Sequence, residues 1–477
     1  MGERLKRYEA LAHDIAESIR CGVMRTGEKL PSVREASTRR GISASTVFQA
    51  YYLLEAQGLI RARDRSGYYV VHGAAAMPPE LDPPAPVDQV DPGSQVVDVS
   101  SQVFEVLESI RQRDVVPFGS AFPDPALFPM AKLGQVMAST IRHLDPWQAV
   151  DDLSPGNAQL RRQIALRYQV DGIAVTPDDI VITNGALEAL NLCLGAVTRP
   201  GDAVIVESPT FYAALQSLER LGLRAVEVAA HPREGIDLAA LARALSQHRP
   251  AACWLMTSFQ NPLGSLMPEA KKRELVALLA RFEVPLIEDD VYGELYFGTS
   301  RPAPAKAFDV DGMVMHCGSF SKSLAPGYRV GWAVPGRYTR AVARHKLSTS
   351  LSTSMPAQAA IAAYLERGGY DRHLRALRHA LSVRQGQMMA AVGQGFPAGA
   401  RATRPAGGYF LWVELPVGID TRVLHRRALA DGISIAPGPM FSAQPRFLNC
   451  LRLNYGHVWD ARAETAFARL GGLIRTM

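Results

Sequence analysis

The first seventy residues carry two different periodicities of apolar side chains. Near the start they recur at three- and four-residue spacing, which is typical of a helix with one buried face. The residues concerned are Leu5, Tyr8, Leu11, Ile15 and Ile19. Further on, the β-prone runs 59–62 and 68–71 flank a polar turn at 64–67 and predict a hairpin. The first helix should end at Gly22.

Two more helices are predicted between these patterns. Ser32 can cap a helix that runs to about Arg40, with Glu35 completing a capping box. After a turn at Gly41, Ser43 can cap a third helix. Its buried face would hold Val47, Ala50, Tyr51 and Leu54, whereas Ser45, Thr46 and Gln49 would point elsewhere. Three helices and a hairpin make a winged helix-turn-helix, whose third helix can enter a major groove.

Residues 73–93 break both periodicities with prolines at 78, 79, 83, 84, 86 and 92. This composition predicts a semi-extended linker unsuited to a packed element. No Lys or Arg lies between residues 73 and 110, so the linker is not expected to bind DNA. A helical pattern follows and should dock on the next domain through Val103, Phe104, Leu107 and Ile110.

From Val115 onward, strand-like runs alternate with helical ones. The strand-like runs are 179–183, 203–207, 251–256, 285–289 and 312–316, and helical runs include 187–197, 212–221 and 269–282. Such alternation predicts an α/β fold with a mostly parallel sheet covered by helices on both faces. We therefore divide the chain into a head (1–72), a connector (73–113) and a body (114–477), the body having a large part (about 145–350) and a small part (about 351–477).

Composition agrees with a multidomain globular protein. The chain has 477 residues, is 47% hydrophobic and carries a net charge of +6. The head alone holds 12 Lys or Arg against 8 Asp or Glu, a weak indication of a nucleic-acid partner. No run of about 18 apolar residues occurs, which predicts a cytoplasmic protein without a membrane partner. The five cysteines are scattered, so neither a metal site nor a disulfide framework is expected.

The stretch after the strand-like run 312–316 carries the candidate chemistry. A lysine in a pocket loses its proton more easily than one in water, and Lys322 could then condense with an aldehyde. Pyridoxal 5'-phosphate is the expected cofactor, bound to Lys322 as a Schiff base. Arg329, Ser319 and Ser321 would hold its phosphate. A surface lysine in a serine-rich loop is the alternative interpretation.

Residues on other turns could bind the phosphate and the ring of that cofactor. A helix start at Gly185, Ala186 and Leu187 can point backbone amides at a phosphate. The Phe211 ring could lie against the pyridine ring, although ordinary core packing is equally compatible with its position.

Three further polar side chains complete this set. Asn261 could bond the phenolic oxygen, although Asn-Pro is also a common turn. Asp289 closes an apolar strand, where a protonated pyridine nitrogen would stabilise its carboxylate; a helix N-cap is the alternative. Tyr292 can share the phenolic oxygen.

The head resembles the GntR regulators. Matching residues are Gly27, Leu30, Pro31, Ser32, Arg34, Glu35, 41–43, 45–47, Ala50, Tyr51, Leu54, Gly58 and 66–68. The resemblance implies that Arg34, Ser43, Ser45 and Thr46 face phosphates or base edges of double-stranded DNA, and that the tip at Arg65 to Gly67 follows the minor groove. Ala44 departs from the arginine frequent in that family, which removes a guanine-reading fork. A protein-docking domain of the same shape is the alternative.

The body resembles the fold type I, aspartate aminotransferase-like enzymes, over roughly residues 115–477. The ordered residues Gly185, Phe211, Asn261, Gly264, Asp289, Tyr292, Ser319, Lys322 and Arg329 carry this resemblance. It implies that Arg452 binds a substrate α-carboxylate. Asp151 replaces a tyrosine that lends its hydroxyl to the partner's cofactor phosphate, and Ala121-Phe122-Pro123 replaces a Gly-x-Pro segment.

Head, linker and body together resemble the MocR subgroup of bacterial regulators. The resemblance implies a homodimer that binds an operator and responds to pyridoxal phosphate or to an amine or amino-acid effector. A working aminotransferase with an appended DNA-binding domain is the alternative, because Lys322, Asp289 and Arg452 suffice in principle for imine exchange.

Overall fold

The head forms the expected three helices and hairpin. The structure is a computed structural model that describes residues 7–20, 23–25, 27–56, 59–63, 66–70, 77–83, 93–109, 114–147 and 155–477. Its first elements are helices α1 (Arg7–Arg20), α2 (Val33–Arg40) and α3 (Ala44–Ala56) and the antiparallel strands β1 (Ile60–Arg63) and β2 (Gly67–Val70). The expected end of the first helix at Gly22 lies outside the described residues, and α1 ends at Arg20.

The apolar face of α3 organises the core of the head. The predicted inward residues Val47, Ala50, Tyr51 and Leu54 are all buried. They pack in one cluster with the apolar face of α1, and each fully buried large side chain contributes about 1.5–3 kcal/mol. Ser43 caps α3, since its hydroxyl accepts from the Thr46 amide at 3.2 Å.

The cap of α2 differs in part from the expectation. The Ser32 hydroxyl accepts from the Glu35 amide at 3.2 Å, as predicted. The Glu35 carboxylate instead pairs with Arg39 one turn on, at 2.8 Å. An ion pair along the helix surface thus takes up the side chain that would have completed the capping box.

Residues 77–83 of the connector also differ from the expectation, because they pack against the body. The Ala402 amide donates to the Pro79 carbonyl at 3.0 Å, and the Leu81 amide donates to the Ala402 carbonyl at 3.3 Å. The Glu80 carboxylate pairs with Arg233. Proline removes amide donors only where it occurs, so Glu80 and Leu81 remain able to pair, and the acidic side chains meet arginines of the body.

The connector then joins the large sheet of the body. Strand β3 (Gln95–Val96) adds an antiparallel edge to that sheet, and helix α4 (Ser100–Ser109) follows. Val103 is buried as expected, but Phe104 is 64% exposed, so its predicted docking role is wrong. Val106 takes the inward position instead, because it is one helical turn from Val103. Ile110 lies outside the described residues.

The large sheet is mostly parallel. Its strands are β4 (Val181–Thr183), β5 (Ala203–Ser208), β6 (Arg224–His231), β7 (Gly235–Ile236), β8 (Ala252–Leu255), β9 (Leu286–Asp289), β10 (Val314–Ser319) and β11 (Gly331–Val334). Their order is β3-β6-β5-β8-β9-β10-β11-β4, with β7 beside β6. The run from β6 to β10 is parallel, and β11 is antiparallel to both neighbours.

Helices cover this sheet, as the alternating pattern predicted. They include α5 (Met130–Arg142), α6 (Ala158–Val170), α7 (Ala186–Val197), α8 (Tyr212–Arg220), α9 (Leu238–His248), α10 (Glu269–Arg281) and α11 (Thr339–Ser350). The carboxyl ends of β9 and β10 lie at one edge of the sheet, because these strands are parallel and in register from Leu286 to Asp289. This edge faces the second part of the body.

The second part of the body is built on an antiparallel sheet. Its strands are β12 (Arg401–Ala402), β13 (Phe410–Glu414), β14 (Ala436–Pro437) and β15 (Cys450–Asn454), in the order β12-β13-β15-β14. Its helices are α12 (Met355–Glu366), α13 (Gly369–Gly395), α14 (Thr421–Ala430) and α15 (Ala461–Arg475). The start of the body packs beside the turn that precedes β14, since the Val116 amide donates to the Gly432 carbonyl at 2.8 Å.

Within the described ranges we find no helix that combines the length and the apolar character needed to span a membrane. The same ranges contain no cluster of His, Cys, Asp and Glu that could hold a metal ion. Cys193, Cys253, Cys317 and Cys450 are buried free thiols, and Cys21 lies outside the described part.

Candidate functional site

Lys322 lies on the turn that leaves the large sheet. Strand β10 ends at Ser319, and the chain turns before returning as β11. The Lys322 Nζ donates to the Ala121 carbonyl at 2.9 Å and lies 3.7 Å from the centre of the Phe122 ring. Burial of the ammonium group, with repulsion from Arg452 and Arg329, lowers the pKa of Lys322 to about 7. A substantial part of this amine is therefore neutral, and nucleophilic, near neutral pH.

Asp289 and Asn261 each carry a buried polar atom that is free to bind a ligand. Asp289 ends β9, and burial raises the pKa of its carboxyl to about 7. Within the described ranges, its Oδ1 atom and the Nδ2 atom of Asn261 have no hydrogen-bond partner. Buried polar groups without partners are rare and costly, so these atoms are suited to a bound polar ligand.

Arg452 supplies a buried cation close enough to Lys322 to lower the pKa of that lysine. It is 0% exposed, and its Nη1 donates to Asn261 Oδ1 at 2.9 Å. Its Nη2 donates to the Gly119 carbonyl at 2.8 Å, and its guanidinium carbon lies 4.2 Å from the centre of the Phe410 ring. Burial lowers the pKa of Arg452. These contacts fix a planar cation that can bind a carboxylate.

A helix start forms one half of an anion cradle, which comprises Gly185, Ala186, Leu187, Ser319, Ser321 and Arg329. Gly185 has φ of +84° and precedes α7, whose first residues are Ala186 and Leu187. A Cβ atom on Gly185 would lie 2.5 Å from Arg329 Nη2. Only glycine therefore brings this helix start so close to the guanidinium group. The helix amides and the arginine can bind the same anion.

Arg329 and the two serines form the other half of the anion cradle. Arg329 Nη1 donates to the Ser321 hydroxyl at 3.2 Å, and Nη2 donates to the Asn184 carbonyl at 3.3 Å. The Ser319 hydroxyl accepts from the Ser321 amide at 3.0 Å and donates to the Val330 carbonyl at 3.1 Å. Ser319 thus orients the turn, while Ser321 and Arg329 face the helix start.

The two predicted aromatic residues lie on the walls of the same region. Phe211 is half-buried at the start of α8, where its ring centre is 4.8 Å from that of Tyr212. Tyr292 is buried, and its ring makes an edge contact with Tyr409 at 5.4 Å. Burial raises the pKa of Tyr292, so its hydroxyl stays protonated and can donate. The cofactor roles of both residues remain predictions.

The structure adds a residue that the sequence patterns did not single out. The Tyr409 hydroxyl donates to the Ala121 carbonyl at 3.1 Å, the same oxygen that accepts from Lys322. The sequence feature that could have indicated Tyr409 is the pair Gly407-Gly408, which precedes an apolar strand. A Cβ atom on Gly407 would lie 2.5 Å from the Phe259 ring, so glycine is needed to bring Tyr409 into the site.

Two parts of the sequence depart from the aspartate aminotransferase-like pattern, namely Asp151 and the segment 121–123. Asp151 lies outside the described residues. The segment at Ala121 forms part of the site, because its carbonyl accepts from the lysine and the next side chain, Phe122, lies beside the amine. Phe122 therefore narrows the space around Lys322.

The predicted DNA-contacting residues of the head lie on α2, α3 and the hairpin. Arg34 and Ser45 are exposed, and Thr46 is half-buried. The Ser43 hydroxyl is engaged within the head, since it also bonds Ser45 Oγ at 2.9 Å and Thr46 Oγ1 at 2.8 Å. Gly67 is exposed at the start of β2, and Arg65 lies outside the described residues.

The C-terminal end of α3 contacts the body. The Tyr52 ring stacks on the His379 ring of α13, with centres 4.2 Å apart and planes 22° apart. Burial lowers the pKa of His379, which favours the neutral ring in this contact. Tyr52, near the C-terminal end of the third helix, thus contacts the body, while Ala44, Ser45, Phe48 and Gln49 of its N-terminal half are exposed.

Comparisons with known proteins match both parts of this architecture. Residues 7–70 match the model of the bacterial regulatory proteins of the gntR family, and residues 153–470 match that of aminotransferase class I and II. The solved multiple substrate aminotransferase from Thermococcus profundus is similar to the body, with a TM-score of 0.72 and 28% identity over 79% of this chain and 95% of that chain.

Two relatives from Escherichia coli (strain K12) are similar over nearly the full length. The HTH-type transcriptional regulator YdcR is 48% identical over 99% of this chain and 99% of its own length. The HTH-type transcriptional regulator YjiR is 38% identical over 98% of this chain and 99% of its own length. The chain therefore belongs to the class I and II aminotransferase family and, through its gntR-family head, to the HTH-type transcriptional regulators that carry such a body.

Proposed function

We propose that this regulator binds pyridoxal 5'-phosphate in the body, with Lys322 as its covalent anchor, and that an amine or amino acid bound there changes DNA binding by the head. The observation that carries the proposal is the lysine with a pKa of about 7 beside two buried polar atoms without partners. The donor set fits the cofactor, because a cation, a carboxylate and an anion cradle surround one amine. Class I and II aminotransferases depend on this cofactor.

Each residue has a distinct task in this proposal. Arg329, Ser321 and the amides of the anion cradle would bind the phosphate, and Asp289 would hold a proton at the pyridine nitrogen. Asn261 and Tyr292 would donate to the phenolic oxygen, and Phe211 would pack against the ring. When bound, the cofactor supplies an electrophilic carbon and a ring that withdraws electrons.

Lys322 acts as nucleophile and as the group that holds or releases a proton at Nζ. Arg452 binds the carboxylate of an amino-acid effector, and its contacts with Asn261 and Gly119 keep the guanidinium plane fixed. Phe122 and Tyr409 exclude water from the amine and position it through the Ala121 carbonyl.

Signalling from body to head requires two states that the effector binds unequally. We propose a homodimer whose two heads bind paired half-sites of an operator, so that an effector which favours one arrangement of heads alters the fit to DNA. An operator partner also implies a cytoplasmic location.

The test uses the full-length protein and the DNA upstream of its own gene. Protein incubated with pyridoxal 5'-phosphate should gain visible absorbance and a borohydride-stable mass increment, and Lys322→Ala should lose both. Mobility-shift titrations with a panel of amino acids should then change DNA affinity for the wild type and leave Lys322→Ala unaffected. A colourless wild-type protein, or an effector response that survives in Lys322→Ala, would refute the proposal.

A second candidate function is aminotransferase activity. The buried Arg452 favours it, and so does the similarity to aminotransferases such as LysN from Thermus thermophilus, whose solved structure has a TM-score of 0.71 and 30% identity over 79% of this chain and 98% of that chain. Multiple turnovers with an amino acid and a keto acid, without retardation of any upstream DNA fragment, would favour this function over the regulator.

A further inference from the structure

The outward face of α3 carries an exposed aromatic residue between polar ones. Ser45, Phe48, Gln49 and Tyr52 follow each other at helical spacing and so share one face. Phe48 is 53% exposed and Gln49 is exposed. Tyr52 at the far end rests on His379, whereas Ser45, Phe48 and Gln49 are exposed.

The charge around this face suits a nucleic-acid duplex. Arg34 on α2 is exposed. Lys29 is exposed beside the hairpin, where its Nζ lies 6.0 Å from the centre of the Tyr69 ring. These exposed cations of the head can contact DNA phosphates, which leaves base edges to the uncharged side chains of α3.

The side chains on this face determine which base edges can be recognised. Ala44 and Ser45 at the helix start carry no cation, so the fork that recognises guanine is missing there. The side-chain amide of Gln49 can accept from adenine N6 through its carbonyl oxygen and donate to adenine N7 through its NH2 group. The ring of Phe48 can contact the methyl group that only thymine presents in the major groove.

We propose that Phe48 and Gln49 select A·T pairs in each half-site of the operator, Gln49 through adenine N6 and N7 and Phe48 through a thymine methyl group. Adjacent residues of a helix diverge by about 100°, so the two side chains contact neighbouring base pairs. This inference rests on the DNA-binding function of the head, and it adds the bases that the head recognises.

The experiment begins with selection of duplexes from a pool with a randomised centre, using the full-length protein. In the selected duplex, deoxyuridine replaces single thymines, which removes only the methyl group, and 7-deazaadenine replaces single adenines, which removes only N7. We expect wild-type affinity to fall about fourfold at one thymine. It should fall about tenfold at one adenine. Phe48→Ala should be insensitive to that deoxyuridine, and Gln49→Ala to that 7-deazaadenine.

The matched control is Phe104→Ala, which removes a similarly exposed phenylalanine from α4 in the connector and should keep both sensitivities. Circular dichroism of each variant confirms that the head is folded. Selected sites without A·T pairs at the sensitive positions would overturn the inference, as would variants that keep the wild-type sensitivities. Absence of binding to any duplex would refute the DNA-binding function itself, whereas binding without base preference would refute this inference alone.

Discussion

The head and the body both present polar side chains to a ligand, but they do so in opposite environments. Arg452 in the body is fully buried and bonded to Asn261 and Gly119, whereas Arg34 and Gln49 in the head are exposed. A buried polar group is strongly oriented, yet it leaves its partners unsatisfied when it is removed. Exposed groups can be changed at little cost to folding. Substitutions at the ligand site of the body should therefore lower the stability of the fold, whereas substitutions of the exposed side chains of the head should not.

The largest expected contrast is between two arginines. Arg452→Ala leaves the acceptors of Asn261 and Gly119 unsatisfied in the core, so the unfolding free energy of the body should fall by about 3 kcal/mol. Arg34→Ala removes an exposed side chain, so the unfolding free energy should change by less than about 0.5 kcal/mol. The same substitution should weaken DNA binding. Denaturant titrations and mobility shifts measure both quantities. Equal losses of stability would contradict the contrast.

A second pair of variants distinguishes the effect of backbone strain from the effect of disrupting the anion cradle. Gly185→Ala places a Cβ atom 2.5 Å from Arg329 Nη2, and affinity for pyridoxal 5'-phosphate should fall by about tenfold or more. The control is Gly172→Ala, whose φ of +76° is similar but whose Cβ atom would meet nothing within 4 Å. It should lose stability and keep the affinity. Spectroscopic titration of both variants decides between these outcomes.

The pH dependence of cofactor capture tests the environment of Lys322. With its pKa lowered to about 7, the capture rate should rise with pH and level off above 7, with roughly a tenfold gain from pH 6. The negative charge of Asp289 raises the pKa of Lys322, so Asp289→Asn should move the midpoint of the rate profile to lower pH. Stopped-flow absorbance measures the rate. A midpoint near the ordinary lysine value of 10.5 would contradict the buried environment.

The lowered pKa of Lys322 also affects the free energy of unfolding of the protein without cofactor. Between pH about 7 and 10.5, the folded lysine is neutral while the unfolded one holds its proton. The contribution of Lys322 to the free energy of unfolding should therefore rise with pH through that window. The difference in stability between wild type and Lys322→Met at several pH values isolates this contribution.

The smallest expected effect concerns the contact between head and body. Tyr52→Ala removes a ring stack with His379 that is worth about 1 kcal/mol, so amide exchange in α3 and α13 should rise about fivefold. His379→Phe keeps an aromatic partner and should keep the protection. Hydrogen exchange followed by mass spectrometry measures both variants, and unchanged exchange in Tyr52→Ala would show that the ring stack does not hold the head.

Local patterns were sufficient for much of the fold. The face of α3 through Val47 and Leu54 follows from helical spacing, and the Ser32 and Ser43 caps follow from their position before apolar runs. The strand ends that carry Asp289 and Lys322 follow from alternation of apolar and polar runs. Each of these features depends on neighbours within a few residues, which is why the sequence predicts them.

The features that the sequence missed depend on residues far apart in the chain. Phe104 is exposed because Val106 occupies the contact with the sheet, and only the docked position of α4 decides between them. The pairing of Glu80 with Arg233 and the contact of Tyr409 with the Ala121 carbonyl join segments more than 150 residues apart. No periodicity predicts which distant partner such a group meets.

The amino-acid sequence by itself determined a head with three helices and a hairpin, an α/β body, and the order in which Lys322, Asp289 and Arg452 occur. Only the tertiary structure decided that Asp289 and Arg452 lie close enough to Lys322 to affect its pKa, that Asp289 and Asn261 keep buried atoms without hydrogen-bond partners among the described residues, and that Tyr52 rests on His379. The physical reason is that periodicity and capping act over one or two turns, whereas burial and the pKa values that follow from it depend on which distant surfaces meet.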